Sequence, residues 1–375
     1  MHYDVIVIGA GSMGMAAGYY LSKAGKKVVL LDSFVPPHNK GSHHGETRII
    51  RHAYGEGEEY VFLVLKAQEL WNDLEQLAER QLFLRTGVLN AGSQQSPFIK
   101  QVIASSNKFG LPLEVLGANQ VHERWSGISL PEDYIGCFEP ASGVLKSEEC
   151  IRAYQQLAES YGAVIKVNSP VRNLTVQSDG VTVITDDQSF HAEALVVAAG
   201  AWSPKLLGML GLHAPLTPIR KTFAWFDADE KLYGHNTFPA FTFDTPAGMY
   251  YGFPSISGTG LKLGRHDGGN SINIDEAMVR FGEFEEDAGD LVRFLNQYMP
   301  TGQTLKYGKN CIYTMTPDED FIVDLHPHHP HVAIAAGFSG HGFKFSSVIG
   351  ESLSDLILSG KTENDISQFS LNRFH

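Results

Sequence analysis

Cysteine is scarce in this chain. Its 375 residues include three, Cys137, Cys150 and Cys311. That is an odd number without a CxxC pair, which excludes a disulfide framework and a cysteine zinc site and fits a reducing compartment. Positive charge is scarce too. The 29 Lys and Arg stand against 42 Asp and Glu, a net charge of −13, so nucleic acid is not an expected partner. Any local basic cluster therefore stands out from an acidic background. No apolar run approaches the roughly 20 residues needed to cross a bilayer. The first fifteen residues lack the basic n-region and cleavage site of a secretory signal, and Asn372-Arg373-Phe374-His375 is not a peroxisomal address. Repeats and low-complexity segments are absent. These absences predict a cytoplasmic protein that binds neither membrane nor nucleic acid and holds no metal. Hydrophobic residues make up 43% of the chain, enough for a substantial core, and the length suggests two domains or one large domain with an insertion.

Residues 3–14 read YDVIVIGAGSMG. Val5, Ile6, Val7 and Ile8 form the β-branched run of an interior parallel strand. Gly9, Gly11 and Gly14 follow with GxGxxG spacing: a tight turn, a close backbone approach to a pyrophosphate, and close helix–strand packing. Met15–Leu21 is helical in pattern, so its free N–H groups and dipole would face phosphates. A second strand, Val28–Leu31, ends on Asp32, where a carboxylate can accept from a ribose hydroxyl. Strand, turn, helix, strand and acid in that order predict a bound dinucleotide.

The polar stretch PPHNKGSHHGETRIIRHAYGEG (36–57) reads as a loop, and Tyr60–Leu77 as a helix. Nucleotide-domain signals return with a helix over Ser147–Tyr161, strands at Val164–Val167 and Val181–Thr185, and the buried strand Ala194–Ala199 entering Gly200. Thr222–Phe226 and Met249–Phe253 alternate aromatic residues as in an antiparallel sheet. His331–Ala336 is a further buried strand, after which Phe345, Ile349, Leu353 and Leu356 recur at helical spacing. The fold class is α/β: a doubly wound Rossmann-like domain from residues 1–85, 145–215 and 309–375. An α+β second domain on a mainly antiparallel sheet takes residues 86–144 and 216–308. A ligand site is expected between the domains, at the carboxyl ends of the parallel strands.

Three clusters could carry chemistry. In GSHHGETRIIR, Ser42, His43 and His44 precede Arg48 and Arg51, which bracket Ile49-Ile50. Arginine suits a planar carboxylate or negative charge on a cofactor ring. In GLKLGRH, Lys262 and His266 share one face of an extended strand and Arg265 points away. This is either a polar sheet edge or a cation presented to a ligand. In GFSGHGFKF, Gly337, Gly340 and Gly342 surround His341 and Lys344 at a strand–helix junction. Lys344 in a first helical turn opposes the usual acidic preference there, a conflict of the kind that marks functional sites. Cys311, taken alone, reads as a small buried hydrophobe.

GSHHGETRIIRHAYGEG, YYGFP, LKLGRH, CIYTMTPDEDFIVD and AAGFSGHGFKFSSVIGE together resemble the monomeric sarcosine oxidase and N-methyltryptophan oxidase family of flavoenzymes, from the first strand to the last helix. GAGSMGMAAGYYL, FEPASGVL and GKTENDIS are closer to the sarcosine oxidase branch, whereas the Pro-Asp-Glu-Asp run after Thr316 is seen in the N-methyltryptophan branch. The resemblance implies FAD, attached covalently through its 8α-methyl group to Cys311, and a monomer. It implies a flavin site that includes Ser42, His43, His44, Arg48, Val171, Gly200, Gly342 and Lys344 beside the glycine turn and Asp32. Arg51 and Lys344 would bind the substrate carboxylate. Tyr251, Tyr313 and Thr242 would line the pocket, His266 would sit beside the amine, and the Gly340 carbonyl could accept from it. Lys262 and Arg48 would flank the opposite face of the flavin, with Lys262 stabilising negative charge as oxygen is reduced.

The implied reaction is oxidative demethylation of an N-methyl amino acid by O2, with sarcosine the first substrate and N-methyltryptophan or another bulky N-methyl amino acid the alternative. No side chain is an obvious strong base for carbon deprotonation, which favours hydride transfer or an amine–flavin adduct. Two readings from other classes are an NAD-dependent dehydrogenase, which would not need Cys311, and a catalytically idle flavoprotein.

Overall fold

The computed structural model describes residues 2–374. Two large sheets and one small one make up the strands of the described residues. The first has eight strands. Its parallel centre runs in the order Val164–Lys166, Val28–Leu31, His2–Ile8, Ser189–Val197 and His329–Ala336. Ile322–His326 closes the edge antiparallel. The hairpin of Val171–Gln177 and Gly180–Thr185 adds to the first half of Ser189–Val197. Because strand side chains alternate, the central strands feed two cores. Val5, Val7, Val28, Leu30 and Val196 pack under helices Ser12–Lys23, Val61–Leu77, Ser147–Ser160 and Ser346–Ser359. Ile6, Ile8, Val29, Leu31, Leu195 and Val197 pack beneath the hairpin and helix Ser203–Met209. Gly350 lets the last long helix touch the first, since a Cβ there would lie 2.4 Å from that of Ala16.

The second sheet has nine strands and is antiparallel except where Ala240–Thr245 runs parallel to Val88–Ser93. Helix Glu286–Tyr298 and its aromatic residues Phe294 and Tyr298 cover one face. Ile312, Tyr313 and Thr314 of the sheet's last strand line a cleft together with Ile8 and Leu31 of the first sheet. Leu305–Met315 pairs with Thr217–Phe226 over its whole length, so this strand belongs to the second sheet and the chain regains the first only at Ile322. The expected boundary at residue 309 therefore falls inside a strand.

A third sheet of three short strands joins Thr47–Ile50, Gly143–Lys146 and Phe83–Leu84. Thr47–Ile50 lies inside the stretch expected to be loop. Its partner comes from nearly a hundred residues later, which local pattern does not reveal. Among the described residues no helix is long and apolar enough to cross a membrane.

Candidate active site

A cleft opens at the carboxyl ends of the parallel strands, lined among others by Gly9, Gly11, Asp32, Ser42, His43, Arg48, Val171, Gly200, Tyr313, Gly340 and Gly342. Its near end is the glycine turn. Gly9 has φ +94°, and a Cβ there would lie 2.4 Å from the Ala198 carbonyl oxygen. A Cβ on Gly14 would lie 1.8 Å from the Gly9 oxygen, so the third glycine is required for packing rather than for ligand contact. The helix that follows has neither a side-chain cap nor an acidic residue in its first turn, which leaves its N–H groups available to an anion. Asp32 is buried. Its Oδ2 accepts from Ala10 N–H at 2.8 Å and its Oδ1 from Phe34 N–H at 2.9 Å. The carboxylate thus braces the turn and keeps acceptor capacity for a ribose hydroxyl.

Toward the middle of the cleft, Ser42 Oγ donates to the Ile312 carbonyl at 2.5 Å, tying this loop to the strand that carries Cys311. Arg48 donates to the carbonyls of Thr47, Ser42 and His44 at 2.6, 2.6 and 2.8 Å, so it clamps the loop and, among the described residues, pairs with no carboxylate. Burial, with Arg48 nearby, lowers His44 to about 3, and burial lowers His43 as well. Both rings are neutral at physiological pH. Lys262 Nζ donates to Gly45 O at 2.6 Å, Thr47 Oγ1 at 3.1 Å and Thr47 O at 3.2 Å, inside a box of Phe223, Trp225 and Phe253. Cys311 is buried opposite Lys221 in the strand register. Burial raises its thiol pKa while Arg48, Lys262 and Lys221 oppose the rise.

Next to Phe343 of the cleft wall, though not lining the cleft themselves, two cations meet one aromatic ring. The Arg51 guanidinium lies 4.9 Å and the Lys344 Nζ 5.1 Å from the centre of the Tyr54 ring. Arg51 also packs on Phe98 and pairs through Nη2 with Glu56, whereas its Nη1 is buried without a partner. Burial, then the repulsion of Arg51, lowers Lys344 to about 7. Lys344 lies in the 3-10 turn Phe343–Phe345, which runs directly into the helix Ser346–Ser359, and not in that helix's first turn as expected. Tyr313 closes over Gly340, where a Cβ would lie 2.1 Å from the ring. Tyr313 and Tyr251 are close enough that each affects the other's hydroxyl, and burial raises both. His266 packs against Tyr313, and burial lowers it to about 4.

Lys262 and His266 therefore share the inner side of the sheet, and Arg265 pairs outside with Asp267 and Asp290. The two inner residues serve different neighbourhoods, however: Lys262 holds the loop after His44, while His266 faces the Arg51–Lys344 end. The Thr242 hydroxyl is engaged at 2.6 Å by Asn90, which bonds Glu139, and Glu139 accepts from the backbone of His52 and Ala53 just after Arg51. Tyr54, Glu56, Asn90 and Glu139 were not singled out by pattern. A buried carboxylate such as Glu139 has no sequence signature, and Glu56 reads as part of a polar loop.

The donors present fit FAD. A glycine turn and an uncapped helix face a diphosphate position, Asp32 a ribose, and the buried Thr314 hydroxyl, which has no partner, lies with Tyr313 on the cleft wall. The family model of FAD dependent oxidoreductases matches residues 4–356. A monomeric sarcosine oxidase from Arthrobacter sp. is 52% identical over 99% of this chain and 96% of its own. An N-methyl-L-tryptophan oxidase from Escherichia coli is 45% identical over the full length of both. The solved structure of NikD, an amino acid oxidase of nikkomycin biosynthesis, is similar with TM-score 0.86 at 24% identity, covering 98% of this chain and 97% of that one.

Proposed function

Because the chain belongs to the family of FAD-dependent oxidoreductases, we propose that it oxidises the N-methyl group of a secondary amino acid, sarcosine first. Sarcosine, O2 and water would give glycine, formaldehyde and hydrogen peroxide. The observation that carries this reading is the pair of cations at Tyr54, one with a buried N–H left unpaired. Such a pair matches a small carboxylate. The relatives named for sarcosine and N-methyl-L-tryptophan support the substrate class. The Arthrobacter relative is named as monomeric, and we extend that state to this chain and place it in the cytoplasm.

FAD would take up the two electrons and pass them to oxygen. Cys311 would hold it through a thioether to the 8α carbon, and the glycine turn, Asp32, Ser42, His43, His44, Arg48, Val171, Gly200 and Gly342 would hold the rest. Arg51 and Lys344 fix the carboxylate, which sets the N-methyl group at a constant distance from it. A protonated amine has no lone pair to support charge developing at carbon, and the two cations favour the neutral amine. The Gly340 carbonyl orients that amine, and His266, neutral at pH 7, adds no competing charge. Tyr251 and Tyr313 wall the pocket from water. Lys262 stabilises negative charge that builds on oxygen.

Anaerobic addition of sarcosine and of N-methyl-L-tryptophan in parallel, followed at the flavin absorption band, tests the reading. Faster bleaching by sarcosine is expected. Bleaching by the indole substrate alone would overturn the first choice of substrate, and bleaching by neither would overturn the reaction.

A further inference from the structure

His341 is buried in the turn after Gly340, and its two ring nitrogens have different partners. Nε2 lies 3.1 Å from the Glu319 carbonyl oxygen, which can only accept, so Nε2 carries the proton. A neutral imidazole has a single N–H, and burial, with Lys344 close by, holds the ring neutral by lowering it to about 3. Nδ1 is therefore a lone pair and takes the Tyr54 O–H at 2.7 Å. The one hydrogen of Tyr54 is then spent, and toward Lys344 its oxygen can only accept, as it does from Nζ at 3.1 Å. A second Lys344 hydrogen goes to the His341 carbonyl at 2.8 Å. Two of three ammonium hydrogens are fixed on the protein and one remains.

We propose that His341 is a positioning residue which, by holding the Tyr54 hydroxyl as an acceptor, keeps Lys344 charged with its third N–H directed to the substrate carboxylate. The proposal rests on the carboxylate role given above to Arg51 and Lys344. With the other tautomer, or with a protonated ring, Nδ1 would carry a hydrogen. The Tyr54 O–H would then point at Lys344, donor against donor, and favour the uncharged amine. The charged and titratable groups around Lys344 are Arg51, which opposes its charge, Glu56, which supports it, and Tyr54, His341 and His266.

The test uses the holoenzyme and propionate, a carboxylate with no amine to oxidise, titrated through the flavin spectrum across pH. In the parent, affinity falls as pH rises above the Lys344 titration, by about tenfold per pH unit once the amine is neutral. Tyr54→Phe and His341→Leu should bring that fall to lower pH by about one unit. His341→Gln should keep the parent profile, because its amide can both accept from Tyr54 and donate to Glu319. Parent profiles in Tyr54→Phe and His341→Leu would overturn the proposal, as would a shifted profile in His341→Gln. Nitrogen-15 NMR of labelled histidine, with the His341 signal assigned by its loss in His341→Gln, reads the tautomer without any destabilising variant. An Nδ1–H signal overturns the proposal and an Nε2–H signal supports it. A parent that binds no propionate at any pH overturns the carboxylate reading itself, a failure distinct from unchanged variants of a parent that binds.

Discussion

Arg51 and Glu56 form an ion pair inside the site through Nη2 and Oε1, while Arg51 Nη1 is buried beside it with no partner. Burial alone would raise the Glu56 carboxyl, but Arg51, with His341 and Lys344, brings it down to about 2. Glu56 is therefore an anion, and in the function proposed above an incoming carboxylate would share Arg51 with it or displace it. Replacing it by Gln removes the competing charge and keeps a hydrogen-bond acceptor. Glu56→Gln is expected to tighten propionate binding at pH 6 about tenfold, equivalent to about 1.4 kcal/mol, in a flavin-spectral titration. Weaker binding would mean that Glu56 is needed chiefly to hold Arg51 in place.

Cys311 is buried on a strand tied to the Ser42 loop, with Lys221, Arg48 and Lys262 around it. Burial raises its thiol pKa, and those cations oppose the rise by favouring the nucleophilic thiolate. Acid precipitation of the parent should leave yellow colour in the pellet, and Cys311→Ala should move it to the supernatant while the purified protein still binds FAD. A colourless parent pellet would remove Cys311 as an anchor and leave the dinucleotide fold untouched.

What the sequence revealed was what local pattern can carry. The glycine turn with Asp32 depends on neighbours within one strand–helix–strand unit, and the inward Lys262 and His266 follow from a period of two. Leu305–Met315 was not read as a strand; family resemblance singled out only Cys311 within it, and its sheet was not readable, because local pattern does not name a partner. Lys344 reads as helical because Phe345, Ile349 and Leu353 repeat at helical spacing, yet the chain spends Phe343–Phe345 on a 3-10 turn. The link from Tyr54 to His341 spans 287 positions. The hydrogen-bond chain through Asn90 and Glu139 to the backbone after Arg51 joins three separate segments. Such relations belong to tertiary packing, and no window along the chain contains both partners.

Arg220 stands next to Lys221 on the strand facing Cys311 and is anchored by Asp287 through two hydrogen bonds of 2.8 Å, with both side chains buried. Removing one member of a buried pair strands the other charge. Arg220→Ala is expected to cost about 3–5 kcal/mol in denaturant unfolding. Burial raises the Asp287 carboxyl, but its bonds to Arg220 and to Gly282 N–H leave it below its ordinary value. Its contribution is thus complete above about pH 4 and lost as pH falls through the lower folded value. Stability of Asp287→Asn should show less loss over that acid range than the parent, and an identical acid loss would put the titrating group elsewhere.

Lys262 donates only to neutral oxygens, Gly45 O, Thr47 O and Thr47 Oγ1, within three aromatic rings. Burial, then Arg48, lowers its pKa well below the ordinary lysine value. Such an amine gains most from a new negative charge close by, because that charge restores the proton burial disfavours. In the function proposed above, the step that would create such a charge beside Lys262 is oxygen reduction, whereas the substrate carboxylate would bind at Arg51 and Lys344. Lys262→Met fills the aromatic box with a side chain of similar length and no charge. In stopped flow it should slow reoxidation of the reduced enzyme by O2 about 10²–10³-fold, the loss typical of one preorganised electrostatic group, and leave anaerobic reduction by substrate within about tenfold of the parent. Equal slowing of both half-reactions would place Lys262 in the general architecture of the site and not in the oxygen step. Reoxidation that stayed fast would remove it from the chemistry altogether.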